Sequence, residues 1–402
     1  MSVGPDLACH ESVRDPAGYF GDFRDGGAIQ WSDAQRGWAV IGHTAVAGAF
    51  RETATLSADR VGALERIAAQ RPEGFGAVVD LLRGWMIFRD PPAHTRLREP
   101  VRAAFAPRRV ADLELVVSSI VEEVLDTLAA SSGTVDLSVG FARPIPALVI
   151  AALLGVEADE RHRFQAWSDE LAAIVFSTNA GSVATDTTVH AAEEFTKFFG
   201  DLVARERDSP TGGIITAIAQ IDDSDLGDAE LVGLCTLLLF AGHETTTTLL
   251  GNAIAVLCES PDVCERLRGD PALWPSAVEE FMRMQGPART MVRKVAIDHE
   301  REGVQLRARD NVFLSIAAAN HDPAVFAEPQ VLDLARDPNP HLGFGWGLHH
   351  CLGASLARME ARIALARLVE RFGRLEADGA IPPLRGNLMG FGQRPLLVHL
   401  RD

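Results

Sequence analysis

The sequence predicts a mostly helical fold with small β-sheets, and three observations lead to that prediction. Residues 228–259 are apolar on nearly every side, as expected of a long helix through the middle of a large domain. Residues 110–130 and 354–371 have the periodicity of helices. The stretches typical of strands are short and few. Hydrophobic residues make up 47% of the 402, enough for a sizeable core. We therefore expect one domain over residues 1–402, with a loose lead at 1–26.

The remaining elements follow the chain in order. Two short apolar stretches around a polar turn, 28–31 and 38–41, predict a β-hairpin. Residues 54–84 mix helical and loop character, and their glycines and Pro72 make them a candidate lid. Further helices are expected at 44–51, 144–154, 160–176, 191–207 and 277–284, a small-residue loop at 177–188, further strands at 135–137, 291–296, 311–316 and 394–400, and a turn at 387–391.

The totals argue against several classes of protein. The net charge of −17 disfavours a nucleic-acid partner, and no apolar run reaches the roughly 20 residues of a membrane span. Residues 1–6 have no feature of a signal peptide. Five cysteines without a disulfide framework indicate a reducing compartment, so we expect a cytoplasmic protein. Neither a Walker loop nor a dinucleotide-binding Gly-x-Gly-x-x-Gly occurs, which predicts no ATP, NAD or flavin of its own.

The most informative stretch is residues 344–353, Phe-Gly-Trp-Gly-Leu-His-His-Cys-Leu-Gly, directly before the helix predicted at 354–371. Its glycines allow tight turns and a close approach to a flat, bulky group. The amino-terminal end of the following helix would stabilise Cys351 as a thiolate. A lone thiolate on a rigid loop suits an iron ligand, because cysteine ligation of haem favours O–O cleavage. Two alternatives are a buried structural cysteine and a zinc site with His349 and His350, although no second Cys/His pair has zinc spacing.

At these residues the chain resembles the cytochrome P450 family, whose loop reads Phe-Gly-x-Gly-x-His-x-Cys-x-Gly. The resemblance implies that Cys351 is the axial iron ligand of a haem b, that Phe344 packs beside the sulfur and that His349 contacts a haem propionate. The family often has a polar or small residue in place of Trp346, so the outer surface of the loop is expected to differ. The implied haem-binding residues are His94, Arg98, Ala241, Gly242, Arg293, Phe344, Gly345, His349, Cys351 and Gly353.

A second motif of the family, Asp-Pro-Pro-x-His-x-x-x-Arg, occurs at residues 90–98. The two prolines mark a helix start, and His94 and Arg98, four residues apart, share a helix face. The resemblance implies that both hold haem propionates, and that Arg293 does the same. The alternative is a solvated basic face.

Near the centre of residues 228–259 stands Ala-Gly-His-Glu-Thr-Thr, which matches the family's Ala-Gly-x-Asp/Glu-Thr-Thr. The resemblance implies that Glu244 and Thr245 deliver protons to dioxygen at the haem. The chemistry agrees, because a buried carboxyl with a raised pKa relays protons and a hydroxyl positions water. A buried, paired structural acid is the alternative for Glu244. The glycine and the threonines are also expected to weaken the helix and open a groove.

The resemblance also implies a structural triad of Glu280, Arg283 and Arg336. Glu280 and Arg283 lie three residues apart on one predicted helix face, and Arg336 falls in a stretch that fits a later meander of the family. One departure is visible: Arg309 stands where the family usually has a glycine, which leaves the conformation of that turn open.

The resemblance therefore implies a haem-thiolate monooxygenase that inserts one oxygen atom from O₂ into an apolar small molecule. The haem would lie between the long helix and the Cys351 loop, and a separate acidic ferredoxin would supply electrons to a monomeric protein. The substrate-pocket candidates are Phe240, Ala241, Pro287, Met291, Leu388 and Met389. The wider pocket stretches are 61–82, 167–187, 238–245, 287–291 and 388–389. The candidate docking residues for the ferredoxin are Arg96, Arg102, Arg108, Arg109, Arg358 and Arg362.

Two other functions remain open. The chain could be a thiolate-haem protein that binds or senses a ligand without turnover, although the intact Glu244–Thr245 pair argues against it. It could also catalyse an atypical oxidation of the family, such as coupling, desaturation or nitration. The identity of the substrate does not follow from the sequence.

Overall fold

The computed structural model describes residues 4–70, 75–131, 133–156, 163–164, 166–168, 170–171, 185–221 and 226–401. Helices span His10–Arg14, Pro16–Gly21, His43–Arg51, Val61–Gln70, Phe75–Arg83, Ala93–Arg102, Pro107–Ala111, Glu114–Ala129, Pro144–Leu154, Asp186–Asp208, Ile214–Ala219, Asp228–Glu259, Pro261–Gly269, Trp274–Gln285, Ile316–Asn320 and Ala354–Arg371. Strands are β1 Ile29–Ser32, β2 Gly37–Val40, β3 Leu56–Ser57, β4 Thr134–Asp136, β5 Thr290–Val295, β6 His299–Arg301, β7 Val304–Leu306, β8 Asn311–Ser315, β9 Arg374–Ala377 and β10 Leu397–Arg401. The predicted fold class, mostly helical with small sheets, is confirmed.

The chain divides into two units. The first consists of residues 1–57, 114–146 and 244–402, and the second of residues 58–113 and 147–243. The helix predicted at 160–176 and the loop at 177–188 lie largely outside the described residues, as do four residues of the candidate lid.

A five-stranded sheet with the order β1-β2-β8-β5-β3 organises the first unit. β1 and β2 form the predicted antiparallel hairpin, in which Trp31 pairs with Trp38. β2 runs parallel to β8, and β5 runs antiparallel to it. Buried side chains of the sheet and of the helix His43–Arg51 form one hydrophobic core. Phe50 of this helix belongs to that core. A smaller sheet, β4-β10-β9, brings together two distant parts of this unit.

The second unit is built of helices. Phe75–Arg83 packs against Asp186–Asp208. The turn that follows Phe75–Arg83 approaches the first half of the helix Asp228–Glu259, because a Cβ added at Gly84 would lie 2.7 Å from the Cα of Gly233. These glycines are needed for backbone-to-backbone packing.

The lead predicted to be loose is helical in its described part. His10–Arg14 and Pro16–Gly21 are helices, and Phe20 is fully buried in a small core. Arg24 donates to the carbonyl oxygen of Ala318 at 2.9 Å. Sequence reasoning missed these helices because five or six residues are too few for a periodic pattern to be recognised.

The turn at Arg309 keeps a conformation that favours glycine. Arg309 has φ 79°, in the left-handed region. Its N–H donates to the carbonyl oxygen of Val295 at 2.8 Å, and the Asp310 carboxylate accepts from Trp38 Nε1 at 2.9 Å. These hydrogen bonds offset the local strain, so the substitution of arginine for glycine leaves the turn in place.

Candidate active site

The cysteine loop, residues 344–353, depends on glycine at two positions. Gly345 and Gly347 have φ of 68° and 71°, which other residues rarely adopt. A Cβ at Gly347 would also lie 2.9 Å from the carbonyl oxygen of Phe50. Gly353 has neither requirement, since its φ is −85° and no described atom lies within 4 Å of an added Cβ.

Cys351 differs from the other cysteines in its surroundings. Its N–H donates to the carbonyl oxygen of Phe344 at 2.9 Å, and it is exposed, whereas the other four are buried or half-buried. Burial raises the pKa of Cys258 to about 12 and also raises the pKa of Cys235 and of Cys264. Those three thiols therefore stay protonated, and Cys351 has the surroundings that suit a thiolate ligand.

Trp346 forms the outer surface of the cysteine loop. Its side chain is 40% exposed, and the Arg51 guanidinium lies 5.3 Å from the ring centroid. The loop therefore presents an aromatic ring and a cation together, at the position where the sequence departs from the family.

A charged network supports Phe344. The guanidinium of Arg358 lies 4.2 Å from the Phe344 ring centroid and donates two hydrogen bonds to Glu279, at 2.6 and 2.8 Å. The His341 Nδ1 accepts the N–H of Gly343, so its Nε2 carries the proton that is donated to Glu279 at 2.9 Å. Burial raises the pKa of Glu279, but the hydrogen bonds from His341 and Arg358 outweigh this effect and lower it to about 2.

Sequence analysis did not single out Glu279 or His341, and it treated Arg358 only as a docking residue. A signal was present, because Glu279 directly precedes Glu280. Two adjacent acids on one helix point in different directions, so each needs its own partners.

Glu280, which is fully buried, is the centre of a second network. Its carboxylate accepts from Arg283 at 2.7 and 2.8 Å, from Arg336 Nε at 3.1 Å, from Asn339 Nδ2 at 3.0 Å and from the N–H of Asp333 at 3.0 Å. Burial raises the pKa of Glu280, but these bonds leave it below its ordinary value. The structure thus brings together the three triad residues and adds Asn339 and Asp333.

The buried network is bonded to the cysteine loop through Asn320. Arg283 donates from Nη1 to the carbonyl oxygen of Asn320 at 2.9 Å. The Asn320 side chain accepts the N–H of Leu342 at 2.7 Å, and Leu342 in turn accepts the N–H of Gly345 at 2.8 Å. A change at Arg283 would therefore reach the loop through three hydrogen bonds.

The four propionate candidates belong to different units. Arg293 and His349 lie in the first unit, and His94 and Arg98 in the second. Arg293 is 7% exposed, and its guanidinium lies 5.7 Å from the Phe50 ring centroid. His94 is fully buried, and burial together with Arg98 lowers its pKa to about 4. His94 is therefore neutral at pH 7 in this environment, and its ring can donate a hydrogen bond.

The central helix, Asp228–Glu259, is continuous through residues 241–248. The groove expected beside this segment stays a prediction. Gly242 is a packing position, since an added Cβ would lie 2.8 Å from the side chain of Ile150. The Thr248 hydroxyl donates to the carbonyl oxygen one turn earlier, at 3.1 Å, as the sequence predicts. A segment of weak helix propensity therefore stays helical in its tertiary surroundings.

Exposure distinguishes the residues of this segment. Ala241 and Thr245, one helical turn apart, are exposed, and Gly242 and Glu244 are half-buried. The following three threonines, Thr246, Thr247 and Thr248, are buried. Thr245 is therefore the exposed threonine of the group.

Two of the predicted substrate-contact segments lie side by side in the first unit. The N–H of Arg289 donates to the carbonyl oxygen of Met389 at 2.8 Å, and the N–H of Phe391 donates to that of Pro287 at 3.2 Å. Met389 is 8% exposed. Pro287, Met291 and Leu388 are half-buried.

Phe240, in the second unit, is packed against a neighbouring ring. It is 4% exposed, and its ring centroid lies 5.0 Å from that of Trp85. Of the wider pocket stretches, most of 167–187 lies outside the described residues.

Four of the six candidate docking arginines form ion pairs. The pairs are Arg96–Glu230 at 2.5 Å, Arg102–Glu99 at 2.7 Å, Arg358–Glu279 at 2.6 Å and Arg362–Glu114 at 2.9 Å. Arg108 and Arg109 are exposed and have no ion pair within the part of the chain that the structure describes. The net positive charge of these segments is therefore smaller than the count of arginines suggests.

Two properties of the described residues bear on other functions. They contain no group of three or more His, Cys, Asp and Glu side chains placed to hold a metal ion, so His349, His350 and Cys351 do not form such a group. They also contain no helix with the length and apolar character needed to cross a membrane.

Comparisons with known proteins agree with this geometry. The cytochrome P450 family model matches residues 80–270 and 272–400. Nocardicin C N-oxygenase of Nocardia uniformis subsp. tsuyamanensis is 37% identical over 349 residues, covering 86% of this chain and 84% of that protein. Vitamin D(3) 25-hydroxylase of Pseudonocardia autotrophica is 40% identical over 287 residues, covering 70% and 69%. The solved structure of the bacillaene polyketide synthase cytochrome P450 PksS of Bacillus subtilis 168 aligns with 99% of this chain and 100% of its own, with a TM-score of 0.85 and 29% identity.

The match extends over most of the chain and includes the cysteine loop, the central helix and the buried network of Glu280. The relatives are named as hydroxylases and oxygenases. The protein is accordingly a haem-dependent monooxygenase that uses O₂, a redox partner and a small-molecule substrate, and the chain belongs to the cytochrome P450 family.

Proposed function

We propose that this protein binds haem b through Cys351 and inserts one oxygen atom from O₂ into an apolar small molecule. The observation that carries the proposal is the cysteine loop, in which an exposed thiol follows two left-handed glycines. Among the five cysteines, the exposed Cys351 is the best candidate for an iron ligand, because burial keeps the thiols of Cys235, Cys258 and Cys264 protonated. When bound, the haem supplies dioxygen activation, and its cysteine ligand favours O–O cleavage.

We propose that four residues hold the haem propionates. Arg98 and Arg293 would supply positive charge, and the neutral ring of His94 would donate a hydrogen bond, as would His349. Arg293 is supported by its burial near the Phe50 ring, which restricts its side chain. The remaining haem contacts would come from Phe344, Gly345, Gly353, Ala241 and Gly242.

For proton delivery we propose Glu244 and Thr245. The exposed Thr245 hydroxyl would position a water molecule, and the half-buried Glu244 would pass protons to it. The three buried threonines that follow serve packing, and the hydroxyl of Thr248 already donates within the helix.

We propose an apolar, neutral or weakly polar substrate. Pro287, Met291, Leu388 and Met389 support this choice, since none of their side chains carries a charge. The relatives are named for nocardicin C and vitamin D(3), which are small organic molecules. Spectral titration of the ferric protein with a compound library tests the proposal, because a bound substrate shifts the Soret band towards the high-spin form. Shifts produced only by highly charged compounds would contradict it.

We further propose that residues 1–402 act as a single catalytic domain, as a monomer and in the cytoplasm. None of the five cysteines forms a disulfide, which supports the cytoplasmic location. Size-exclusion chromatography with light scattering tests the monomer, and a dimer mass would overturn that part of the proposal.

The iron ligand is tested by substitution. The reduced CO complex of the wild type should show the far red-shifted Soret band of a thiolate-ligated haem. Cys351→His should abolish the band, whereas Cys9→Ser, at a half-buried cysteine, should keep it. A band that survives Cys351→His would exclude Cys351 as the ligand.

Proton delivery is tested by comparing two threonines of the central helix. Thr245→Ala should keep haem and substrate binding but divert electrons to hydrogen peroxide. Thr247→Val, a change of similar shape at a buried position, should leave coupling intact. Equal coupling in Thr245→Ala and the wild type would remove Thr245 from the mechanism.

For the electron donor we propose an acidic ferredoxin. Haem reduction by it should slow as salt rises, because surface charges are screened over roughly 10 Å at 0.1 M. Arg102→Glu and Arg109→Glu should slow it further without changing substrate affinity. Arg36→Glu, in the turn between β1 and β2, is the charge-matched control. Reduction that is insensitive to salt and to both reversals would mean that the donor docks elsewhere or is not acidic.

A further inference from the structure

A cavity of about 80 Å³ lies within the first unit. Its walls come from the two amino-terminal helices, the end of the helix Trp274–Gln285, the residues just before β5 and the helix Ile316–Asn320. Arg14, Arg283, Arg289 and His321 line it, and no carboxylate side chain is among the described residues of its wall. This volume holds several water molecules or one small ion, since a single water needs roughly 10–15 Å³ by this measure.

Arg289 is the buried cation of this cavity. It is 1% exposed and donates from Nη1 to the carbonyl oxygen of Asn387 at 2.8 Å, and from Nη2 to the carbonyl and hydroxyl oxygens of Ser12, both at 3.0 Å. Its buried Nε has no hydrogen-bond partner among the described residues. No carboxylate in the described part of the chain forms a salt bridge with it, and the Phe391 ring, 5.4 Å away, provides only a weak counter-interaction.

The positive charge of Arg289 is present at neutral pH. Burial lowers the pKa of Arg289 to about 10, which is still well above 7. The side chains of Cys9 and Asp6 raise the pKa of Arg289 electrostatically but form no salt bridge with it in the described part of the chain. The Asp6 carboxylate already accepts a hydrogen bond from the Gln35 side chain. A buried charge that lacks a close counter-charge is costly, so a mobile anion would be stabilising here.

The other basic groups of the wall add little net charge. Arg283 is neutralised by Glu280, and burial lowers the pKa of His321 to about 4, so that its ring is neutral at pH 7. Arg14 is exposed to solvent. One uncompensated buried charge therefore remains, which matches a monovalent ligand.

We propose that this cavity binds one small monovalent inorganic anion, of the chloride, bromide or nitrate class, beside Arg289. Arg289 connects the amino-terminal helices, through Ser12, to the turn that carries Leu388 and Met389. A bound anion would hold these segments together.

Anomalous diffraction tests the site directly. Crystals of the holoenzyme grown or soaked in sodium bromide should show one anomalous peak within hydrogen-bond distance of the Arg289 guanidinium. The peak should be missing in Arg289→Gln and retained in Arg108→Gln, which removes an exposed arginine of the second unit. An ordered water cluster without anomalous signal in the wild type would overturn the proposal, and so would a peak that persists in Arg289→Gln.

Thermal unfolding tests the anion site in solution. This test needs only the wild-type protein, so it remains available if Arg289→Gln does not fold. At constant ionic strength, replacing gluconate with bromide or nitrate should raise the Tm by roughly 1–2 °C for each tenfold increase above the dissociation constant. Arg108→Gln should respond as the wild type does. A Tm that does not respond to the anion would exclude the site.

Discussion

Glu279 and Glu280 are neighbours on one helix, yet their carboxylates belong to two different networks. Glu280 is fully buried and bonded to Arg283 and Arg336. Glu279 keeps 25% of its side chain exposed and is bonded to His341 and to Arg358 beside the cysteine loop. Successive residues of a helix point about 100° apart, so one acid faces the core and the other faces the loop. The buried carboxylate is therefore bonded within the core of the fold, whereas the partly exposed one is bonded beside the cysteine loop.

The largest expected effect is at Arg283. Arg283→Met leaves Glu280 buried without its closest cation, and removing one partner of a buried ion pair costs about 3–5 kcal/mol. The free energy of unfolding in urea, together with the yield of folded protein, measures the loss.

The control for this change is an exposed pair with the same spacing. Arg102 and Glu99 are also three residues apart, with side chains 67% and 62% exposed. Arg102→Met should change stability by less than about 0.5 kcal/mol. Similar losses of stability in Arg283→Met and Arg102→Met would show that the buried ion pair of Glu280 stabilises the protein no more than an exposed ion pair does.

A smaller loss is expected at Glu279. Glu279→Gln replaces a carboxylate that accepts charged hydrogen bonds with a neutral amide, at a cost of about 1–3 kcal/mol at pH 7. The pKa of Glu279 is about 2 in the folded protein and ordinarily 4.5. The difference in the free energy of unfolding between the wild type and Glu279→Gln should therefore be complete above pH 5 and shrink as the pH falls below 4.5. Urea unfolding at pH 7 and pH 4 measures the difference, and a difference independent of pH would contradict the assignment.

Acid sensitivity should originate partly in a histidine close to the buried network. Burial, with a smaller contribution from Arg283, lowers the pKa of His321 to about 4, from an ordinary 6.5. Between these values the unfolded state binds more protons, so stability falls as the pH falls. Titration of His321 should therefore make the free energy of unfolding of the wild type about 1 kcal/mol lower at pH 5.5 than at pH 7.5.

His321→Asn should remove that part of the pH dependence while keeping a donor for the carbonyl oxygen of Ala317. Urea unfolding between pH 5.5 and pH 7.5 provides the measurement. His190→Asn, at an exposed histidine, should leave the pH dependence unchanged. Equal profiles for His321→Asn and the wild type would assign the acid sensitivity to other groups.

The smallest expected effect is at Arg358. Arg358→Gln removes a cation near Phe344, and loss of positive charge disfavours the reduced haem, so the reduction potential should fall by roughly 20–60 mV. Spectroelectrochemical titration measures it. Arg362→Gln is a matched control, because both arginines have 39% of the side chain exposed and form an ion pair. Equal shifts in the two variants would indicate a general effect of surface charge.

Much of the fold follows from local patterns. The helices Asp228–Glu259 and Ala354–Arg371 begin and end at the predicted residues, because long helices show several turns of apolar periodicity. Short elements were less predictable. β10 begins at Leu397 rather than at residue 394, and the helices of the lead were missed, since a few residues provide too little pattern.

The sequence by itself determined the cysteine loop, the central helix and the candidate acid–alcohol pair, because each depends on residues that are close along the chain. Only the tertiary structure decided which side chains are paired and which are exposed. Glu279 finds His341 62 residues later and Arg358 79 residues later, and Thr245 is exposed while its neighbour Thr246 is buried. Burial and charge pairing depend on contacts between distant parts of the chain, and no local pattern records those contacts.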